Sequence, residues 1–163
     1  MVEVYIAFGS NIGDREANIN KALELFKQKM KVLKRSSLYK TKPMYLEAQD
    51  WFLNGAAKVD TKLTPKELLL FLKDIEQKMG RKLVERNGPR IIDIDILLYG
   101  KQIINEKDLQ VPHPKIEERA FVLVPLYEIA ADFVHPVNHK TVSELLAQLD
   151  YDKSEIKRLK VQG

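Results

Sequence analysis

The amino-acid sequence predicts a single α+β domain over residues 1–163. This length suits one domain with a substantial core and is too short for two. Hydrophobic residues make up 45% of the chain and charged residues 31%, which is the balance of a soluble globular protein. Stretches with strand and helix patterns follow one another in the order β-α-β-β-α-β. This is the order of the ferredoxin-like split βαβ sandwich, with helices on one face of a mostly antiparallel sheet.

The first half of the chain is predicted to supply three strands and one helix. Residues 2–8, VEVYIAF, alternate between apolar and polar side chains as a strand does. Asp14 is the expected N-cap of a helix that extends to Met30. Residues 31–41, KVLKRSSLYKT, are typical of a second strand, and residues 52–59, FLNGAAKV, of a third.

The second half is predicted to begin with the clearest helix in the chain. Thr64, Pro65 and Glu67 supply a cap, a first-turn proline and a capping-box acid, and Gly80 ends the helix. One apolar stripe runs along it, formed by Leu68, Leu72, Ile75 and Met79. Residues 87–101, NGPRIIDIDILLYGK, then contain a fourth strand.

The tail is predicted to form an extra C-terminal hairpin and helical extension. The segment YGKQII suggests a hairpin into a short fifth strand, and an apolar segment, AFVLVPLYEIA, follows after Pro-rich turns. Thr141 and Glu144 cap a last helix. His135 and His139 have an H-x₃-H spacing but no cysteine or acidic partner nearby, and we interpret them as surface residues.

The composition also indicates the cellular compartment and the classes of binding partner. The absence of cysteine excludes disulfides and thiolate metal sites and suits a reducing cytoplasm. No apolar stretch approaches the roughly 20 residues that cross a bilayer, and the N-terminus lacks signal-peptide features. We therefore expect a cytoplasmic monomer with no membrane partner. The net charge of +4 suits an anionic small ligand and is too small to indicate nucleic acid.

Two aspartates interrupt the hydrophobic run of the fourth strand. Because side chains alternate along a strand, Asp93 and Asp95 share one face, roughly 6.6 Å apart. The opposite, apolar face is predicted to consist of Ile92, Ile94, Ile96 and Leu98. Two neighbouring carboxylates repel each other unless a divalent cation such as Mg²⁺ lies between them. The alternative is a wet sheet face on which they are solvated or paired with arginines.

Basic residues precede this strand in the loop GRKLVERNGPR. Arg81, Arg86 and Arg90 are of the type that binds phosphate oxygens through a planar fork, although they could instead pair with Glu85 or the aspartates. Carboxylates for Mg²⁺ beside arginines for phosphate are what phosphoryl transfer requires. A Walker P-loop is absent from the sequence, and the turn GSNIG at residues 9–13 is only weak evidence for phosphate binding.

Four motifs in register carry a family resemblance. AFGSNIGD, FLNGA, GPRIIDIDILLYG and VPHPKIEERAFVLVPL occur in this order from near Val2 to the last helix. Together they resemble the 6-hydroxymethyl-7,8-dihydropterin pyrophosphokinase family of folate biosynthesis. The resemblance implies a ferredoxin-like fold and transfer of a pyrophosphoryl group from ATP to the hydroxymethyl oxygen of a reduced pterin, with release of AMP.

The resemblance also implies roles for individual residues. Asp93 and Asp95 correspond to the family's ligands of two Mg²⁺ ions, and the catalytic arginines are Arg81, Arg86 and Arg90. The nucleotide is expected to contact Glu76, His113 and Arg119, although His113 between two prolines could simply shape a turn. The pterin is expected to contact Thr41, Pro43, Met44, Phe52, Asn54 and Phe121. Without the resemblance, the two phenylalanines would be assigned to the core.

Several positions depart from other members of the family. Leu83 stands where some members have a second arginine, and Asn87 where some have tryptophan. Asp108 and Gln110 replace polar or basic residues that help bind the nucleotide elsewhere. The segment from about Lys82 to Gly88 is charged and lies between a helix stop and a strand start, and we expect it to act as a lid. Two other classes of function fit parts of the pattern. A metal-dependent phosphodiesterase could use the same D-x-D, and an RNA-binding ferredoxin-like module would use aromatic residues on a basic sheet face.

Overall fold

The computed structural model describes residues 1–43, 50–80 and 91–159. The helices are α1 (Arg15–Phe26), α2 (Pro65–Lys78), α3 (Ala120–Ala130) and α4 (Val142–Gln148). The strands are β1 (Val2–Ser10), β2 (Met30–Arg35), β3 (Tyr39–Thr41), β4 (Phe52–Thr61), β5 (Asp93–Tyr99), β6 (Ile104–Asn105), β7 (Gln110–Val111) and β8 (Ile156–Arg158). Two short 3₁₀ turns cover Ile116–Glu118 and Lys153–Glu155. None of the helices within these ranges is long and apolar enough to cross a membrane.

Six strands form one antiparallel sheet in the order β5-β1-β4-β3-β8, with β2 also paired to β4. The strands β2 and β3 lie one after the other along the same edge of β4. Ser36 separates them, because its N–H donates to the Ala56 carbonyl while its Oγ accepts from the Ala56 N–H. The predicted second strand is therefore split in two. The central order β5-β1-β4-β2 is that of the predicted ferredoxin-like fold, which is confirmed.

Helices cover both faces of this sheet, and each face has its own hydrophobic core. On one face, α1 and α2 bury large side chains such as Phe26, Leu68 and Ile75 against β1, β4 and β5. On the other face, α3 and α4 form a second core with Leu123 and Leu126 at its centre. The prediction of helices on one face holds only for α1 and α2. The apolar segment AFVLVPLYEIA is the helix α3, hydrophobic on nearly all sides because the sheet and α4 both pack on it.

The capping signals in the sequence are confirmed. The Asp14 side chain accepts from the Ala17 N–H, and Thr64 and Thr141 each form a capping box with the glutamate three residues later. Gly80 follows α2 with a φ of +82°, a conformation that favours glycine. The predicted end of α1 was wrong. The helix stops at Phe26, and Met30 instead begins β2.

The other boundaries that differ lie around β5. The predicted hairpin from β5 is wrong, since β6 pairs with β7 in a separate two-stranded sheet. A bulge also shifts the face of one residue. Tyr5 pairs with Leu98 but Ile6 pairs with Ile96, so Leu97 is an extra residue in β5. Leu98 therefore packs in the second core, opposite to the face predicted for it.

Truncation of the second core should destabilise the protein much more than truncation of an exposed helix position. Leu123 on α3 is 0% exposed, whereas Leu70 on α2 is 68% exposed. We expect Leu123→Ala to lower the free energy of unfolding by about 2–5 kcal/mol, because it leaves a cavity, and Leu70→Ala by less than about 0.5 kcal/mol. Urea unfolding of both variants measures this. Equal shifts of the two midpoints would contradict the packing of α3.

Candidate active site

The strand register brings residues from distant parts of the chain into one row across the sheet. Asp93 on β5 lies opposite Gly9 on β1, Gly9 opposite Asn54 on β4, and Asn54 opposite Tyr39 on β3. Because directly paired residues point to the same face, these side chains lie on the face that α3 covers. In the next row, Asp95 lies opposite Ala7.

Small residues on β1 leave room for the polar side chains beside them. A Cβ at Gly9 would lie 3.3 Å from the Leu53 carbonyl oxygen and even closer to the Asn54 amide nitrogen. The other end of that amide is fixed as well, since the Thr41 hydroxyl donates to Asn54 Oδ1. The absence of a side chain at Gly9 thus lets Asn54 lie across the middle of the sheet.

Both aspartates face a cleft of about 450 Å³ at the β5 edge. Asp93 and Asp95 are half-buried, and their predicted position on the face opposite Ile92, Ile94 and Ile96 is confirmed. The polar residues that share the lining are Lys73, Glu76, Lys107, Asp108, Gln110 and His113. The sequence reasoning missed Lys73 and Lys107 as lining residues, because an exposed lysine on a helix or in a loop carries no signal of what lies opposite.

The outer edge of β5 is held on both sides of the cleft. Glu76, only 5% exposed, accepts a hydrogen bond at Oε2 from the Ile94 N–H over 3.0 Å. The His113 N–H donates to the Leu97 carbonyl over 2.9 Å. Glu76 and His113, both predicted from the resemblance to contact the nucleotide, therefore also fix the strand that carries the two aspartates.

The His113 imidazole is kept neutral at neutral pH. Burial, together with the positive charges of Arg119 and Lys115, lowers its pKa from the ordinary 6.5 to about 4. Its Nδ1 accepts from the Lys115 N–H, so the ring also shapes the turn around Pro114, as the alternative interpretation expected. The role of His113 toward a nucleotide stays a prediction.

The residues predicted to contact the pterin come from β3, β4 and the start of α3. Thr41 and Pro43 are buried, and Phe52 and Asn54 are half-buried on the same side of β4. Phe121 is half-buried beside the second core, and the Arg119 guanidinium lies 5.6 Å from the centre of its ring. Arg119 is thus close to the ring of Phe121 and near enough to His113 to lower the pKa of its imidazole.

Some predicted site residues lie outside the described residues. These are Met44, Arg81, Arg86 and Arg90, together with the Lys82–Gly88 segment and its Leu83 and Asn87. The GSNIG turn is described, and it borders a different cleft. Asn11 and Gly13 line a space of about 510 Å³ with Arg15, Lys40 and Lys157, on the sheet side opposite to Asn54.

The interpretation of the histidine pair was half wrong. His139 is exposed, as predicted, but His135 is only 7% exposed. The His135 Nδ1 accepts from the Val137 N–H and the Asn138 N–H in a tight turn, and an isolated antiparallel bridge joins the neighbouring Val134 to Thr141.

The two aspartates suit a hard divalent cation. Within the described ranges, no group of three or more His, Cys, Asp or Glu side chains is arranged as a metal cluster. A cation at this place would thus have two carboxylates from Asp93 and Asp95 and would take its other ligands from water or substrate. Mg²⁺ commonly binds in this way, through one or two carboxylates and phosphate oxygens.

Comparison with known proteins identifies the family. Residues 5–131 match the family model of 7,8-dihydro-6-hydroxymethylpterin-pyrophosphokinase (HPPK). The chain belongs to the HPPK family. The family predicted from the sequence motifs is therefore confirmed.

The HPPK relatives differ in how much of their own length the match to this chain covers. The chain is 44% identical over 144 residues to the 2-amino-4-hydroxy-6-hydroxymethyldihydropteridine pyrophosphokinase of Aquifex aeolicus, covering 88% of the chain and 90% of that protein. The chain is also 46% identical over 146 residues to the folic acid synthesis protein FOL1 of Dictyostelium discoideum. That match covers 90% of the chain but only 22% of FOL1.

A solved structure from the HPPK family supports the fold. The wild-type HPPK-DHPS of Plasmodium falciparum superposes with a TM-score of 0.74 at 17% identity, over 90% of this chain and 44% of that one. At this identity the likeness supports the α+β architecture and carries no information on individual site residues.

The titration of His113 tests the electrostatics of this cleft. We expect its ring signals in nuclear magnetic resonance to titrate near pH 4, with assignment from a His113→Gln variant. Because the unfolded chain takes up the proton near pH 6.5 and the folded one only near 4, wild type should lose stability relative to His113→Gln as pH falls through this window. A midpoint near 6.5 would contradict the burial of the ring.

Proposed function

We propose that this chain transfers a pyrophosphoryl group from ATP to 6-hydroxymethyl-7,8-dihydropterin in folate biosynthesis. The pterin hydroxymethyl oxygen bonds to the β-phosphorus of ATP and loses its proton, while the bond between that phosphorus and the α-phosphate bridging oxygen breaks and AMP leaves. The observation that carries this proposal is the row that joins Asp93 to Asn54 through Gly9. In this row, the carboxylate of Asp93 would hold a cation that binds the triphosphate, and the amide of Asn54 would hydrogen-bond to the heterocycle. Both groups belong to a chain of the HPPK family.

The nucleotide side of the site is proposed to lie in the cleft beside β5. Asp93 and Asp95 would hold Mg²⁺, as two ions in the expectation from the family resemblance, and the metal would neutralise charge on the triphosphate. Arg119 contributes a permanent positive charge beside the cleft, and His113 a neutral hydrogen-bonding ring. Arg81, Arg86 and Arg90 are proposed to bind the phosphates on the basis of the sequence.

The pterin side is proposed to lie over β3 and β4, next to the start of α3. The amide of Asn54 is held in place from Thr41, so its remaining hydrogen-bonding capacity has a fixed direction toward a planar polar ring. The rings of Phe52 and Phe121, both half-buried, provide flat apolar walls of the kind a heterocycle needs. Pro43 and Met44 complete the proposed set. Such fixed groups bring the acceptor oxygen to the phosphate with little loss of freedom at the reaction step.

The proposed enzyme, a transferase, is a single domain over residues 1–163. Its substrates would be the only partners, and we propose that it works in the cytoplasm as a monomer without nucleic acid or membrane. The composition supports this, through a net charge of only +4 and no cysteine.

Product analysis tests the reaction and both aspartates. Incubation with ATP, Mg²⁺ and the pterin should release AMP, and omission of the pterin should abolish it. We expect Asp93→Asn and Asp95→Asn each to lower kcat by roughly 100-fold or more, since a ligand of the charge-neutralising cation is lost. The fold should survive, because loss of one of two neighbouring like charges relieves repulsion.

Asp74→Asn is the matched control, because Asp74 lies exposed on α2 and forms a local ion pair with Lys78. It should retain wild-type turnover. Release of AMP without pterin would instead favour a phosphodiesterase. Full activity of either site variant at saturating Mg²⁺ would refute the metal assignment.

A side chain at position 9 should weaken the binding of the pterin and leave the binding of ATP nearly unchanged. Gly9→Ala would place a Cβ against the Asn54 amide and the Leu53 carbonyl, so Asn54 must turn away from its place in the row. We expect the KM for the pterin to rise about tenfold while the KM for ATP changes less than twofold. Steady-state kinetics with each substrate varied measures this. Equal effects on both substrates would argue against Asn54 as a pterin contact.

A further inference from the structure

A carboxylate at the end of α3 connects that helix to β3. Glu128 Oε1 accepts from the Tyr39 hydroxyl over 2.6 Å. Its Oε2 accepts from the Ser37 N–H over 2.8 Å and from the Ser37 hydroxyl over 3.2 Å. Burial and the negative charge of Glu128 together raise the pKa of Tyr39 to about 12, so the phenol keeps the proton that it donates. One carboxylate thus receives three hydrogen bonds, one from Tyr39 on β3 and two from Ser37 just before this strand.

The strand β3 is short, and these side-chain contacts add to its backbone pairing. It contains three residues and is separated from β2 by the interruption at Ser36. It pairs through three residues with β4 and through three with β8, itself a short strand. The Arg158 side chain on β8 donates to the Ser37 hydroxyl over 3.0 Å, so the C-terminal strand joins the same network. Side-chain hydrogen bonds from Ser37 and Tyr39 therefore supplement the backbone pairing of a three-residue strand.

Both elements that Glu128 connects carry residues proposed to contact the pterin. Phe121 lies seven residues before Glu128, two turns earlier on the same side of α3. On β3, Tyr39 lies opposite Asn54, and Thr41 donates its hydroxyl hydrogen bond to the same asparagine. The separation of α3 and β3 therefore sets the distance from the ring of Phe121 to Thr41, whose hydroxyl holds the Asn54 amide on the neighbouring strand β4.

We propose that Glu128 is a positioning residue that sets the spacing of α3 and β3 for the pterin. It contacts neither substrate. It acts through Tyr39 and Ser37. It affects the pterin side more than the nucleotide side, because Asp93, Asp95 and His113 belong to β5 and the loop after it, and Arg119 at the start of α3 is shared by both sides. This inference rests on the proposed function.

Loss of this network should leave the fold intact. Glu128 is exposed, and its removal creates no cavity, while Val122, Leu123 and Leu126 keep α3 packed in the second core. A purely structural contact would change stability and affect both substrates alike. Loss of a positioning residue should instead raise the KM for the pterin and leave the KM for ATP nearly unchanged. The unfolding transition of such a variant should stay as cooperative as that of wild type.

The experiment is steady-state kinetics with each substrate varied, on the full chain and a set of variants. For Glu128→Ala we expect the KM for the pterin to rise about tenfold, with the KM for ATP within twofold. Tyr39→Phe removes one hydroxyl at nearly constant volume and should raise the pterin KM roughly threefold. Glu128→Gln keeps the shape and part of the hydrogen bonding, so it should lie between wild type and Glu128→Ala.

Two further variants make the result specific. Glu24→Ala, an exposed helix glutamate whose ion pair is with Lys27, is the matched control and should behave as wild type. The double variant Tyr39→Phe with Glu128→Ala should resemble Glu128→Ala alone, since both changes break the same network.

The outcomes are distinguishable. If wild type releases no pterin-dependent AMP, the proposed function and this inference fall together. If wild type is active and the pterin KM of Glu128→Ala stays within twofold, the positioning role alone is refuted. A parallel rise of both KM values with a lowered Tm would also refute it, as would additive effects in the double variant. Because Tyr39→Phe is so conservative, its result decides the matter even if Glu128→Ala does not fold.

Discussion

The antiparallel register of β1 against β4 is the constraint on which the candidate site depends. Nine consecutive residue pairs, from Val2 with Thr61 to Ser10 with Leu53, fix these strands relative to one another. A shift by one residue would turn every side chain to the other face and separate Asn54 from Gly9. The buried side chains of both cores prevent this, because β1 contributes Val4, Ile6 and Phe8 to one and Tyr5 to the other. The same packing that stabilises the sheet thus aligns the site.

The site combines groups whose charges are regulated by burial and by their neighbours. Arg119 lowers the pKa of His113 and lies near the Phe121 ring, so one cation is close to residues of both the proposed nucleotide side and the proposed pterin side. His113 is neutral at neutral pH, and the basic residues Lys73 and Lys107 line the cleft, with Arg119 close to His113. Positively charged side chains of this kind suit the binding of phosphate oxygens.

The C-terminal helices α3 and α4 extend the ferredoxin-like core and cover part of the sheet face that carries the candidate site. A core βαββαβ unit leaves one sheet face uncovered, and here α3 and α4 cover part of it. The aspartates and Asn54 lie on that same face. The extension thus gives a sheet surface two uses, as a packing surface for α3 near Tyr5 and Leu98 and as a polar site farther along the strands.

Local rules determined much of this protein from the sequence alone. Helix caps at Asp14, Thr64 and Thr141, the stop at Gly80 and the alternation of Asp93 and Asp95 within β5 depend on neighbours a few residues away, and all were predictable. The motifs also identified the family and therefore the fold. Only the tertiary structure decided the bulge at Leu97, the pairing of β6 with β7, the burial of His135 and the contacts of Glu128 with Tyr39 and Ser37. Each of these depends on which side chains meet from segments far apart in the chain, and periodicity along one segment holds no information about its partner.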